Sequence, residues 1–175
     1  MSSGPKILAF AAPSGTGKTT LICKVIAELN GRGLEVGTIK SDAHRVELDT
    51  PGKDTHRMRS SGSATTAIIS RNQLAVFQDG GRKPTPIQKI VDVFFSDVDL
   101  VLAEGFRSQG LPTIVVSRKD NVDPKWELPS HVVAIASDHG DIDSPNAQVF
   151  ALDDVKGLST FLCEYAGLTP PNKET

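Results

Sequence analysis

The chain has 175 residues, which at roughly 150 residues per domain predicts one compact domain over residues 1–175, ordered over about residues 5–167. With 38% hydrophobic and 23% charged residues, the composition is that of a globule and excludes collagen, low-complexity disorder and a coiled coil. A formal net charge of −2 without a basic tract points away from a nucleic-acid surface, and no apolar run approaches the roughly 20 residues that cross a bilayer.

In chain order, Ile7 to Ala12 is continuously apolar, as a strand buried on both faces must be. Leu21, Ile22, Val25, Ile26 and Leu29 then recur at amphipathic-helix spacing, with Asn30-Gly31 as the expected stop. A second strand is expected from about Leu34 to Ile39, followed by a long polar stretch and a short helix ending near Gly62. Thr65 to Ile69 and Leu74 to Phe77 read as two strands, arranged as a hairpin around Ser70 to Gln73. Thr85 and Pro86 mark the start of a helix that presents Ile87, Ile90, Val91 and Phe94 on one face. Leu100 to Ala103, Ile114 to Val116 and Val132 to Ala136 are further apolar strands, and Asp153 is the expected cap of a last helix burying Leu158, Phe161 and Leu162. Solidly apolar strands alternating with helices predict an α/β fold, a mostly parallel twisted sheet with helices on both faces in three layers. No secretory signal precedes the first strand, and two distant cysteines, Cys23 and Cys163, suit a reducing cytoplasm.

Ala12-Pro13-Ser14-Gly15-Thr16-Gly17-Lys18-Thr19 matches the P-loop pattern GxxxxGK[ST], with Ala in place of the first Gly. Gly15 and Gly17 let the backbone fold around a polyphosphate, Lys18 is expected to reach its β- and γ-phosphates, and the Thr19 hydroxyl can ligate Mg²⁺. The helix that starts here turns its positive end to the anion. The strand before and the helix after are the context the motif requires. Leu100 to Ala103 ends in Glu104, which at the carboxyl edge of a parallel sheet can hold Mg²⁺ through a water or orient the attacking water; a solvated carboxylate capping the strand end is the alternative.

Lys40 and Asp42 leave the second strand at the same edge. Asp42 is a further candidate for the Mg²⁺ shell and Lys40 for a phosphate or a second ligand; ordinary loop polarity explains both equally well. Lys53, His56, Arg57 and Arg59 surround a Pro51-Gly52 turn, a cluster suited either to a second anionic ligand or to a solvated helix face. Asp138 follows another strand, where a carboxylate accepts from guanine N1–H and the exocyclic amine; a turn-capping role is the alternative, and Arg118-Lys119-Asp120 competes for base reading.

The P-loop, the Thr38-Ile39-Lys40 exit, the block Asp49-Thr50-Pro51-Gly52-Lys53-Asp54-Thr55 with Arg57 and Arg59, and Glu104-Gly105-Phe106-Arg107 together resemble the MobB family, the molybdopterin-guanine dinucleotide biosynthesis adapter proteins. The resemblance spans about Lys6 to Arg118. It implies a dimeric P-loop protein that binds GTP and Mg²⁺, assists the guanylyltransferase joining GMP to molybdopterin, and hydrolyses GTP only feebly. By position it assigns Gly15, Gly17, Lys18, Thr19 and Thr20 to phosphate and Mg²⁺, Glu104 to the Walker B role, and Lys53, Arg57 and Arg59 to a groove for the pterin or its phosphate. The chain departs from the family pattern at Ser41-Asp42-Ala43-His44, which keeps a single His, and at Pro112-Thr113-Ile114-Val115. Two other readings are a P-loop kinase of a small phosphorylated metabolite and a nickel-delivery GTPase, the latter disfavoured by the scattered cysteines.

Overall fold

A computed structural model describes residues 4–41, 49–78, 85–121, 123–139 and 146–171. The elements in order are β1 (Lys6–Ala11), α1 (Lys18–Gly31), β2 (Val36–Lys40), α2 (Asp54–Ser60), β3 (Thr65–Ile69), β4 (Leu74–Gln78), α3 (Ile87–Phe94), β5 (Leu100–Glu104), β6 (Thr113–Ser117), a 3-10 turn at Lys119–Asn121, β7 (Val132–Ser137), β8 (Gln148–Ala151) and α4 (Val155–Ala166). They form two compact units, Met1–Ser41 with Val91–Thr175, and Asp42–Ile90.

The larger unit carries a six-stranded sheet in the order β2-β5-β1-β6-β7-β8, with every pair parallel. The apolar strands predict this arrangement, because a parallel sheet is hydrophobic on both faces. Leu8, Phe10, Leu100, Leu102, Ile114 and Val116 join Leu21, Val25 and Leu29 of α1 and Leu158 and Leu162 of α4 in one buried cluster. The alternate residues Ala9, Ala11, Val101, Ala103, Val115 and Ile135 are buried just as fully, so both sheet faces are covered. β1 is central, flanked by β5 and β6: the chain leaves it through α1 to the edge strand β2, returns to β5 beside it, and then passes to β6 on its other side. That reversal opens a crevice at the carboxyl ends of the strands, directly after β1.

Helix ends differ from expectation by one or two residues, for a local reason. α1 continues through Gly31, and Gly33 rather than Gly31 takes the left-handed conformation (φ 86°). Its N–H donates to Asn30 and that of Leu34 to Leu29, so two terminal carbonyls are satisfied while Leu34 packs back into the core. α4 ends in the same way at Gly167, and it is capped by Asp154, whose carboxylate accepts from the Gly157 N–H, not by Asp153. β8 has no counterpart in the sequence reading: it is a short edge strand that buries Phe150 while Val149 stays exposed, too weak a pattern to stand out.

Of the two cysteines, Cys23 is exposed and Cys163 buried. Burial pushes the Cys163 thiol above its ordinary pKa, against a smaller opposing pull from Arg32. Ellman's reagent should therefore titrate Cys23 alone in the folded protein, and Cys163 only after denaturation. Because the unfolded chain loses this proton first, stability should fall as pH rises beyond the unfolded thiol's value of roughly 8.5, which pH-dependent urea melts would read.

The smaller unit comprises α2 and the hairpin β3–β4, whose antiparallel register runs from Thr65↔Gln78 to Ile69↔Leu74 as the two apolar runs predict. Arg59 is held inside this unit, 5.2 Å over the Phe77 ring and 3.5 Å from Asp49, which also accepts from the Thr55 hydroxyl. Ile68, Ile69, Leu74 and Val76 on the hairpin and Met58 on α2 are exposed.

Candidate functional site

The loop between β1 and α1 is shaped by two glycines in the left-handed region, Gly15 (φ 78°) and Gly17 (φ 89°), where a β-carbon would be strained. Gly17 is the N-cap of α1, which has no acidic residue of its own in its first turn, and the helix turns its positive end to this loop. The buried Thr16 donates its hydroxyl to Pro13 O at 2.8 Å, drawing the loop into a compact bend.

Opposite the loop stands Glu104, the last residue of β5. Its two oxygens lie 3.1 and 3.0 Å from Thr19 Oγ1, and Oε1 lies 3.5 Å from Lys18 Nζ and 3.9 Å from Lys40 Nζ. The register explains the meeting: β5 lies between β1 and β2, pairing Phe10 with Glu104 on one side and Lys40 with Glu104 on the other. Residues far apart in sequence thus end at one point because their strands end level. Lys18 and Glu104 are both largely shielded from water, whereas Lys40 is 61% exposed.

Thr19 and Glu104 are hard oxygen donors at a spacing that one small divalent cation bridges, and they fit Mg²⁺. Among the described residues no group of three or more His, Cys, Asp or Glu is placed to hold a metal. Phosphate and water oxygens would therefore complete such a shell, as Mg²⁺ prefers at nucleotide sites. Asp42, the third expected ligand, lies outside the described residues. Thr20 is exposed in the first turn of α1, and Pro13 and Ser14 form the near limb of the loop.

At the neighbouring rim Asp138 follows β7, and its Oδ1 accepts from the Lys119 N–H at 2.8 Å. This bond joins the loops after β6 and β7. His139 Nε2 lies 2.8 Å from Ser117 Oγ, and its N–H donates to Ser137 Oγ, further tying these two exits together. Arg118, one of the competing base readers, turns instead to the phosphate loop: its Nε donates to Thr16 O at 2.8 Å. Asn121 donates to Ser14 O at 2.8 Å and approaches Thr16 Oγ1 at 3.1 Å. No sequence signal marks Asn121, since its partners are more than 100 residues away.

Lys53, Arg57 and Arg59 belong to the smaller unit. Lys53 precedes α2 as its N-cap, and Arg57 is 76% exposed with only a loose 4.0 Å pairing to Asp54. Arg57, Asp54, Met58 and Ser61 to Ser63 line a shallow concavity of about 650 Å³. The structure therefore gathers Lys18, Thr19, Lys40 and Glu104 at one point, and separates Arg59, packed within its own unit, from the exposed Lys53 and Arg57.

The chain matches the family model for molybdopterin guanine dinucleotide synthesis protein B over residues 7–138. It is 39% identical over 171 residues to the molybdopterin-guanine dinucleotide biosynthesis adapter protein of Escherichia coli K12, covering 91% of this chain and 92% of that protein. It is 32% identical over 140 residues to the Haemophilus influenzae protein of the same name, covering 79% and 78%. Among solved structures, the crystal structure of a molybdopterin-guanine biosynthesis protein B superimposes with a TM-score of 0.68 at 26% identity, over 92% of this chain and 99% of that one. Sheet order, phosphate loop and these likenesses agree, and the chain belongs to the MobB family.

Proposed function

We propose that this chain is an adapter in molybdopterin-guanine dinucleotide biosynthesis that binds GTP with Mg²⁺ at its phosphate loop and assists the guanylyltransferase joining GMP to molybdopterin. The observation that carries this reading is the convergence of Lys18, Thr19 and Glu104 at the start of α1. Lys18 neutralises the terminal phosphates, Thr19 and Glu104 hold the cation, and Asp138 Oδ2 is the oxygen offered to a guanine edge. When bound, Mg²⁺ would draw off charge developing on the phosphate oxygens. Among the described residues the cations that meet Glu104 are Lys18 and Lys40, and feeble hydrolysis is part of the reading. Lys53 and Arg57 are the exposed cations suited to an anionic second ligand such as molybdopterin. The reading includes a cytoplasmic location and a homodimer, the dimer supported by the exposed apolar side chains of the β3–β4 hairpin, whose two edges are unpaired among the described residues.

Titration calorimetry with GTP and ATP, each with and without Mg²⁺, tests the reading. GTP should bind only weakly without Mg²⁺, and ATP should bind about tenfold more weakly than GTP, as expected when a hydrogen bond to a charged acceptor is lost. Failure of both nucleotides to bind at millimolar concentration would refute it.

A further inference from the structure

We infer that Arg118 and Asn121 are positioning residues of the phosphate loop, acting on a bound polyphosphate through the backbone they hold. The inference rests on the nucleotide reading above. A loop with two left-handed glycines has more freedom than any other backbone, and the amides that cradle phosphate work only if they are already aimed. The aim can be read from the carbonyls. In a trans peptide the C=O and the following N–H point in opposite directions across one plane, and no peptide among the described residues is cis. Asn121 Nδ2 holds Ser14 O at 2.8 Å, so the Gly15 amide is turned the other way. Arg118 Nε holds Thr16 O at 2.8 Å, which does the same for the Gly17 amide. The second contact of Asn121, 3.1 Å from Thr16 Oγ1, reinforces the side chain that itself pulls on Pro13 O.

These holders are themselves fixed. β6 pairs with β1 (Ala11↔Val115), so the 3-10 turn that carries Asn121 starts from the strand beside the loop. The Asn121 N–H donates to Arg118 O, and the Lys119 N–H to Asp138, which ties the turn to the exit of β7. The guanidinium also adds charge: a β-carbon at Gly17 would stand 3.5 Å from Arg118 Nε and Nη2. A positive group on the outer flank of the loop strengthens the field that its amides present to an anion.

The test compares Asn121→Ala, Arg118→Ala, the isosteric Asn121→Asp and the charge-preserving Arg118→Lys with the unaltered chain, measuring affinities for Mg·GTP, Mg·GDP and GMP. Each alanine should weaken GTP and GDP about tenfold, the size of one lost directional hydrogen bond, and change GMP by about twofold or less, because GMP lacks the phosphates that reach the Gly15 and Gly17 amides. Asn121→Asp, which sets a carboxylate against two oxygens, should weaken GTP more than Asn121→Ala. Arg118→Lys should recover most of the loss, since an ammonium also donates to Thr16 O. Unchanged GTP affinity in both alanine variants, or equal losses for GTP and GMP, would overturn the positioning role while leaving the phosphate site in place. Absence of GTP binding by the unaltered chain would instead remove the nucleotide reading, and this inference with it.

Discussion

Lys18→Ala should lower the affinity for Mg·GTP about a hundredfold while leaving the fold intact. A charged hydrogen bond to phosphate contributes roughly 1.5–3 kcal/mol, and in the proposed reading the ammonium would meet two phosphate groups, so a loss of about 2.7 kcal/mol is expected. The substitution does not leave a stranded charge. Glu104 retains Thr19 at 3.0 and 3.1 Å and Lys40 at 3.9 Å. The unliganded melting temperature should accordingly shift by about 2 °C or less, because partly exposed ion pairs contribute little. Calorimetry and a thermal melt on the same sample separate the two effects. Lys40→Ala is the internal comparison: with 61% of its side chain exposed, it should weaken GTP only about threefold. Equal losses from the two lysines would show that Glu104, not the loop, organises the anion site.

The largest effect on stability is expected from Phe10→Ala. Phe10 has no exposed surface, lies on the central strand β1, and shares a cluster with Leu8, Leu102, Ile114 and α1 and α4. Truncating a buried Phe removes its transfer energy and leaves a cavity that flanking strands cannot close, costing about 3–5 kcal/mol. For a chain of this length that lowers the melting temperature by about 10 °C, measurable by circular dichroism or calorimetry. Phe94→Ala provides the contrast, since Phe94 is 54% exposed and should cost about 0.5 kcal/mol or less. The Phe10 change also bears on the site: the Phe10 carbonyl accepts from the Gly105 N–H at 3.4 Å, next to Glu104, and the phosphate loop begins just after Ala11. Nucleotide affinity should fall with it, although the Phe10 side chain is fully buried.

The elements most legible in the sequence were those whose signal is local. Ile7 to Ala12 reads as a buried strand because a parallel strand needs apolar side chains on both faces, and Thr65 to Ile69 with Leu74 to Phe77 reads as a hairpin because the turn between them is short. The cap of α4 was displaced from Asp153 to Asp154, and the end of α1 from Gly31 to Gly33, since adjacent residues of equal capping ability are separated only by the register of the last turn. β8 was missed because an edge strand of four residues with one buried side chain has almost no pattern.

The loop after β1 needs no tertiary information to be recognised: Gly15, Gly17, Lys18 and Thr19 fall within five residues, and the family is legible from the same local motifs. What only the folded chain decided is which distant groups share that point. Strand order brought Lys40 and Glu104 level with Thr19, assigned Arg118 to the loop carbonyl rather than to a base edge, and set Asn121 against Ser14 and Thr16. It also kept Arg59 on Phe77 and Asp49 within the smaller unit. The physical reason is that a side chain's reach is a few ångströms, while the choice of neighbouring strand moves its origin by about 5 Å at a time, so pairing order outweighs any local preference in deciding who meets whom.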